Sequence, residues 1–170
     1  ATMRPKTTRK KEVNYYQPEE IREILDKLSR EDLRWQLITS LLIVTGCRRG
    51  EIAGLRWESI LWENNLLCIN HEVLSDDEGM IYTEDSIKNM DEKYVQVETE
   101  TMELFKKYHE EFLRMMRELH LEEEYYPKYC FFQLDKPEMP IHPSSINQFL
   151  KRFSNRYGFR PINPHAFRHS

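Results

Sequence analysis

The 170-residue sequence predicts an α+β domain, mainly helical, with a small three-stranded antiparallel sheet. Three observations carry this. Apolar residues recur at helical spacing from Pro18 to about Leu55, from about Glu100 to His120, and again after Pro143. Between Leu66 and Glu98 the pattern shortens to strand-like pieces joined by the polar turns "SDDEG" and "KNMDE". A chain of this length buries about 70% of the surface it would expose unfolded, so it can sustain one full core.

Taken in order, residues 1–17 are polar and basic with no apolar period and read as a linker or arm, with 1–3 open to reading as a cloning remnant. Pro18-Glu19-Glu20 opens a first helix, with proline in the first turn and acids at the positive end of the dipole; Ile21, Ile24, Leu25 and Leu28 form its stripe. Ser29 is placed to cap a second helix, whose buried face is Leu33, Leu37, Ile38, Leu41 and Leu42 and whose end is Thr45-Gly46. A third, shorter helix follows from about Arg48 to Leu55. Residues 66–74, 80–85 and 93–98 are the three strands. The long helix from about Glu100 to His120 carries Met102, Phe105, Tyr108, Phe112, Met115, Met116 and Leu119, a stripe that reads as packing. After the short extended piece "YCFFQL", a last helix starts at Pro143, turns Ile146, Phe149, Leu150 and Phe153 inward and ends at Gly158.

Composition narrows the class. Apolar residues make up 39% and charged residues 32%, as in a globular protein. The longest apolar run, Leu41 to Val44, is far too short to span a bilayer and no signal-peptide pattern is present, so a cytoplasmic protein without membrane attachment is expected. Cys47, Cys68 and Cys130 are odd in number and widely separated, which favours buried free thiols over disulfides or a zinc site. The net charge of −4 alone weighs against a nucleic-acid partner. Its distribution weakens that objection: Arg4, Lys6, Arg9, Lys10 and Lys11 leave the rest of the chain at −9, and binding occurs on one face.

Three cationic sites stand out. In "TGCRRGEIAGLRW", Thr45 to Trp57, the Thr-Gly break leaves Arg48 and Arg49 at a helix start, where backbone N–H groups already favour an anion. Either an external anion is their partner, or one arginine faces solvent while the other pairs with Glu51. Lys88 lies in the polar turn before the third strand, and Lys93 competes with it for any role. The closing "NPHAFRHS" spaces His165 and His169 as in a zinc-binding helix, yet it lacks the glutamate that follows the first histidine and sets Arg168 beside the would-be metal. His165 and Arg168, three apart, share a helix face and suit a phosphate instead, although the stretch alone favours a surface arginine and a hydrogen-bonded histidine.

Together, "TGCRRGEIAGLRWESI", a hairpin lysine 40 residues after Arg48, and "PHAFRHS" resemble the tyrosine recombinase, or phage integrase, family over essentially all of Pro18 to Ser170. The family pattern is Thr-Gly-x-Arg-x-x-Glu-(Leu/Ile)-x-x-Leu-x-Trp, a β-hairpin lysine, and His-x-Leu-Arg-His-(Ser/Thr), with Phe167 here replacing the leucine. The resemblance implies an integrase-like catalytic core over 18–170 in which Arg48, Lys88, His165 and Arg168 are catalytic. Lys88, nine residues before Val97, matches the family's lysine spacing better than Lys93. It further implies site-specific recombination of double-stranded DNA by phosphotyrosyl transfer, with no metal and no cofactor, in a homotetramer on DNA. None of the nine tyrosines follows Arg168, so a catalytic domain incomplete at its C-terminus, inactive in cleavage and monomeric by itself is expected. The alternative is a non-catalytic DNA-binding or regulatory protein that keeps the recombinase fold.

Overall fold

A computed structural model describes residues 16–85 and 92–163. Among these residues, five α-helices, Pro18–Leu28 (α1), Leu33–Thr45 (α2), Arg49–Ala53 (α3), Thr99–Glu118 (α4) and Pro143–Tyr157 (α5), pack around five short strands, Ile60–Leu61 (β1), Leu66–Ile69 (β2), His71–Ser75 (β3), Ile81–Asp85 (β4) and Lys93–Gln96 (β5). The mainly helical α+β class is as expected.

Local chemistry sets the helix ends. Gln17 precedes Pro18, and its N–H donates to Glu20 Oε1 at 2.9 Å, closing the first turn of α1. Ser29, expected to start α2, instead ends α1: its N–H and those of Arg30 and Glu31 bond back to Leu25, Lys27 and Leu28, which consumes the backbone a cap would need. Asp32 takes the cap position of α2 in its place. Residues 37–42 of α2 are buried on every side, as befits a central helix, and Gly46 stops it in the left-handed region at φ 68°. Gly158 ends α5 the same way, at φ 74°.

The core joins Ile24 and Leu28 of α1, Leu37, Ile38, Leu41 and Leu42 of α2, Ile52 of α3, Leu67 and Ile69 of β2, Met102 and Phe105 of α4, and Ile146, Phe149, Leu150 and Phe153 of α5. Each such side chain contributes about 1.5–3 kcal/mol by leaving water. The stripe on α4 is narrower than expected. Met102, Phe105, Phe112 and Met116 are buried, but Met115 and Leu119 are 43% and 59% exposed, because seven apolar positions wrap too far round a helix that rests on one face. Cys47 and Cys130 are buried and Cys68 is half-buried, and none of the three forms a disulfide.

The sheet differs in its pairing. The expected strand over 66–74 breaks at Asn70, and its halves take different partners. β2 lies between β1 and β5 in a three-stranded antiparallel sheet, while β3 and β4 form a separate two-stranded ribbon. Ile69 pairs with Lys93 and His71 pairs with Asp85. β4 therefore ends, and β5 begins, on either side of Asn70, where the partner changes.

Candidate active site

The residues of "TGCRRGEIAGLRW" that fit the family pattern each have a physical task. Thr45 Oγ1 donates to Leu41 O at 2.6 Å and accepts from the Cys47 N–H at 3.1 Å, bracketing the turn at Gly46. That turn delivers Arg48 to the N-cap of α3 in an extended conformation, with its side chain exposed. Glu51 reaches back three residues, and its Oε1 accepts the Arg48 N–H at 2.9 Å. Ile52, Ala53 and Leu55 are buried, anchoring α3 from beneath. Trp57 closes the stretch against Phe105, Tyr108, His109 and Phe112 of α4, and its backbone N–H donates to Lys128 O at 3.1 Å.

Gly50 lets α3 approach the sheet. A Cβ there would sit inside the van der Waals shell of Val73 O on β3 and 3.0 Å from Glu72 Cγ. This close approach sets the electrostatics. Arg48 Nη1 lies 3.4 Å from Glu72 Oε1, and Lys93 Nζ lies 3.2 Å from Glu51 Oε2. Glu51 thus pairs with Lys93 and the Arg48 backbone, and Arg48 turns its guanidinium to Glu72, which corrects the alternative in which an arginine neutralises Glu51.

The two pairs differ in strength. The Arg48 side chain is 59% exposed, and an exposed ion pair is worth about 0–1 kcal/mol, so Glu72 orients Arg48 without committing it. The Glu51 side chain is only 10% exposed and accepts from both a backbone N–H and an ammonium, so it fixes the backbone from which Arg48 projects.

Of the four expected catalytic residues, Arg48 is the one the structure describes. Lys88, His165 and Arg168 lie outside the described residues, as do His169 and the basic positions Arg4 to Lys11. Both chain ends flanking Lys88 are nonetheless tied to the Arg48 region. Asp85 pairs with His71, next to Glu72, and Lys93 pairs with Glu51. Lys93, the competitor of Lys88, is thereby engaged in an ion pair.

Sequence reasoning missed Glu72 and Lys93 as partners in this network. Nothing local marks Glu72, since only the close packing of α3 on β3 brings it to Arg48. The Arg-x-x-Glu spacing did mark Glu51, as a capping glutamate. Among the described residues no group of three or more His, Cys, Asp and Glu could hold a metal ion, and no helix is long and apolar enough to cross a membrane.

Comparison with known proteins follows the same lines. The family model described as "Phage integrase family" matches residues 14–170. No curated protein matches the chain in sequence. Among solved structures, the chain is similar to the integrase of transposon Tn1549 in complex with transposon right end DNA, at 15% identity over 92% of this chain and 51% of that one, with a TM-score of 0.73. It is also similar to the XerA recombinase, at 18% identity over 92% and 48% with a TM-score of 0.67. A lambda integrase dimer bound to a COC′ core site matches at 14% identity over 91% and 38%, with a TM-score of 0.55. The chain spans about half the length of the first two and less of the third. These likenesses describe the fold, and the family model spans the arginine box, the hairpin and the closing histidine box together: the chain belongs to the phage integrase family of tyrosine recombinases.

Proposed function

We propose that this chain holds the scissile phosphate of double-stranded DNA in a site-specific recombinase or integrase that works by phosphotyrosyl transfer in a tetramer on two duplexes. The observation that supports it best is Arg48, a solvent-facing guanidinium on a helix N-cap whose backbone is clamped by a nearly buried glutamate.

In this reading a tyrosine hydroxyl attacks the phosphorus, a 3′-phosphotyrosyl bond forms, and the bond to the 5′-oxygen breaks. Negative charge grows on the non-bridging oxygens, and Arg48 and Arg168 offset it with permanently charged planar forks. His165 takes the tyrosine proton or donates to the phosphate, and Lys88 protonates the leaving 5′-oxygen. The covalent bond conserves the phosphodiester energy, so strand rejoining needs no nucleotide cofactor. The basic arm, Arg4 to Lys11, tracks the duplex backbone.

The test is binding of a short DNA duplex by Arg48→Ala, followed by fluorescence anisotropy. A charge-assisted hydrogen bond is worth about 1.5–3 kcal/mol, so affinity should fall about 10- to 100-fold with unchanged thermal stability. Wild-type affinity in this variant would refute the reading.

A further inference from the structure

Arg56 and Trp57, at the end of the arginine box, line a groove on the side of the domain where the chain returns from α4. Their backbone is zipped to the returning segment: Arg56 bridges Tyr129 in antiparallel fashion, the Trp57 N–H donates to Lys128 O at 3.1 Å, and the Cys130 N–H donates to Leu55 O at 2.9 Å. Two cavities of about 430 and 520 Å³ adjoin there, with Arg56, Glu124, Tyr126, Pro127 and Lys128 lining both. Each has the size of a ligand site. The walls are aromatic and fixed. Tyr126 meets Phe112 of α4 edge to face at 5.9 Å, Pro127 is buried, and the Arg56 guanidinium lies 5.2 Å from the centre of the Tyr129 ring. Tyr125 and Pro137 line the first cavity as well, and Tyr125 is 66% exposed.

The groove carries donors and charges that the fold itself does not use. Arg56 Nε and Trp57 Nε1 are buried N–H donors with no acceptor among the described residues. A buried donor left unpaired costs free energy, and an occupant that brings carbonyl oxygens offsets it. The Arg56 side chain keeps 27% exposure and its polar contacts are long, 3.3 Å to Tyr129 Oη and 3.9 Å to Glu58 Oε2, so its fork can turn to such an oxygen. Glu58, Glu123, Glu124 and Glu138, all exposed, face only Arg56 and Lys128 among the lining residues, which leaves the groove net negative. That balance repels phosphate and attracts a cation.

We propose that this groove docks an extended, basic, proline-containing peptide of another protein. A polyproline II segment has no internal hydrogen bonds, so its carbonyls are available to Arg56 and Trp57, and its flat rings fit walls of tyrosine and proline. Its arginine or lysine side chains lie over Tyr125 and reach Glu124 and Glu138, combining a cation–π contact with charge pairing. The proposal does not depend on the functional reading above, since it uses neither Arg48 nor DNA phosphate.

The test uses the full chain and a fluorescein-labelled peptide of about ten residues in which arginine and proline alternate. Anisotropy should show saturable binding, and a glutamate–proline peptide of the same length should not bind. An arginine–glycine peptide of equal charge should bind several-fold more weakly, because ordering it costs entropy that proline has already removed. Tyr125→Ala should weaken binding about 2- to 5-fold. The double variant Glu124→Lys/Glu138→Lys should abolish binding of the arginine peptide and admit the glutamate peptide, whereas Glu19→Lys/Glu23→Lys, an equal charge change on exposed positions of α1, should leave the arginine peptide bound. Thermal unfolding of each variant verifies that it is folded. Equal losses in the two double variants would mean diffuse attraction to an acidic body and overturn the proposal. So would an absence of saturable binding, wild-type affinity in Tyr125→Ala, equal affinity for the proline and glycine peptides, or self-association of the chain that Tyr125→Ala abolishes, which assigns the groove to a second copy.

Discussion

Replacing Gly50 by alanine tests whether the packing of α3 on β3 builds the site. The added Cβ would fall within the shell of Val73 O, 3.3 Å from its carbonyl carbon and 3.0 Å from Glu72 Cγ. Two of these three atoms are backbone, so no flexible side-chain end can simply swing away. Overpacking of this kind costs about 1–3 kcal/mol. The better helix propensity of alanine returns about 1 kcal/mol at most. Because the closest contact is a backbone oxygen well inside contact distance, the upper part of the overpacking range, about 2–3 kcal/mol, applies. The net expectation is a loss of about 1–2 kcal/mol, a fall in Tm of about 2–8 °C for a chain of this size. Because the displaced helix begins at Arg48 and the displaced strand carries Glu72, duplex DNA affinity should fall beyond what the reduced folded fraction explains. Thermal unfolding followed by circular dichroism, with anisotropy binding well below the transition, measures both. A Gly50→Ala protein as stable as wild type would show that α3 can ride away from β3 freely, and the reasoning would be wrong.

Further expectations concern single charges. Glu51→Ala strips partners from the Arg48 N–H and from Lys93 and should cost about 1–3 kcal/mol in urea unfolding, with Glu51→Gln losing less; equal stability of Glu51→Ala and wild type would contradict the clamp. The side-chain bonds from Arg160, then the Gln17 N–H, hold the Glu20 carboxyl down at about 2. Its folded value lies below the unfolded one, so its stabilising contribution is complete above the usual carboxylate range and is lost as pH falls through about 2. An NMR titration should find Glu20 returned towards the ordinary carboxylate range in Arg160→Gln. Burial lowers the His109 imidazole below its usual range, against a smaller opposing pull from Glu110, and the ring stacks on Trp62 at 5.1 Å and lies 4.6 Å from Trp57. The folded state resists protonation, so stability should fall from about pH 7 towards 5, and His109→Phe should flatten that slope in urea unfolding read by tryptophan fluorescence.

The helices were readable because their signals are local. Pro18, Gly46, Pro143 and Gly158 act on their own backbones, and the apolar period records which face turns inward. Ser29 misled for a related reason. It is a good cap residue in isolation, but it lies in the last turn of α1, where its hydroxyl donates to Asp26 O and the Glu31 N–H it would cap already bonds to Leu28 O. The strand pairing was not readable. The run 66–74 looks continuous, and nothing in its side chains says that Ile69 and His71 answer to different strands.

The sequence by itself determined the class of the fold, the order of its elements and the arginine box with its glutamate, because propensity, capping and motif spacing act over a few residues. It also placed Lys88, His165 and Arg168 in one family pattern with Arg48. Only the tertiary structure decided which charges meet. Lys93 had no partner legible in the sequence until β5 laid it against Glu51, and Glu72 was an ordinary acid until Gly50 let α3 close on β3. Tyr16, in a segment with no apolar period, became a core residue through a partner 147 positions away. Coulomb and hydrogen-bond energies depend on distance in space, and for those pairs the distance along the chain carries no information.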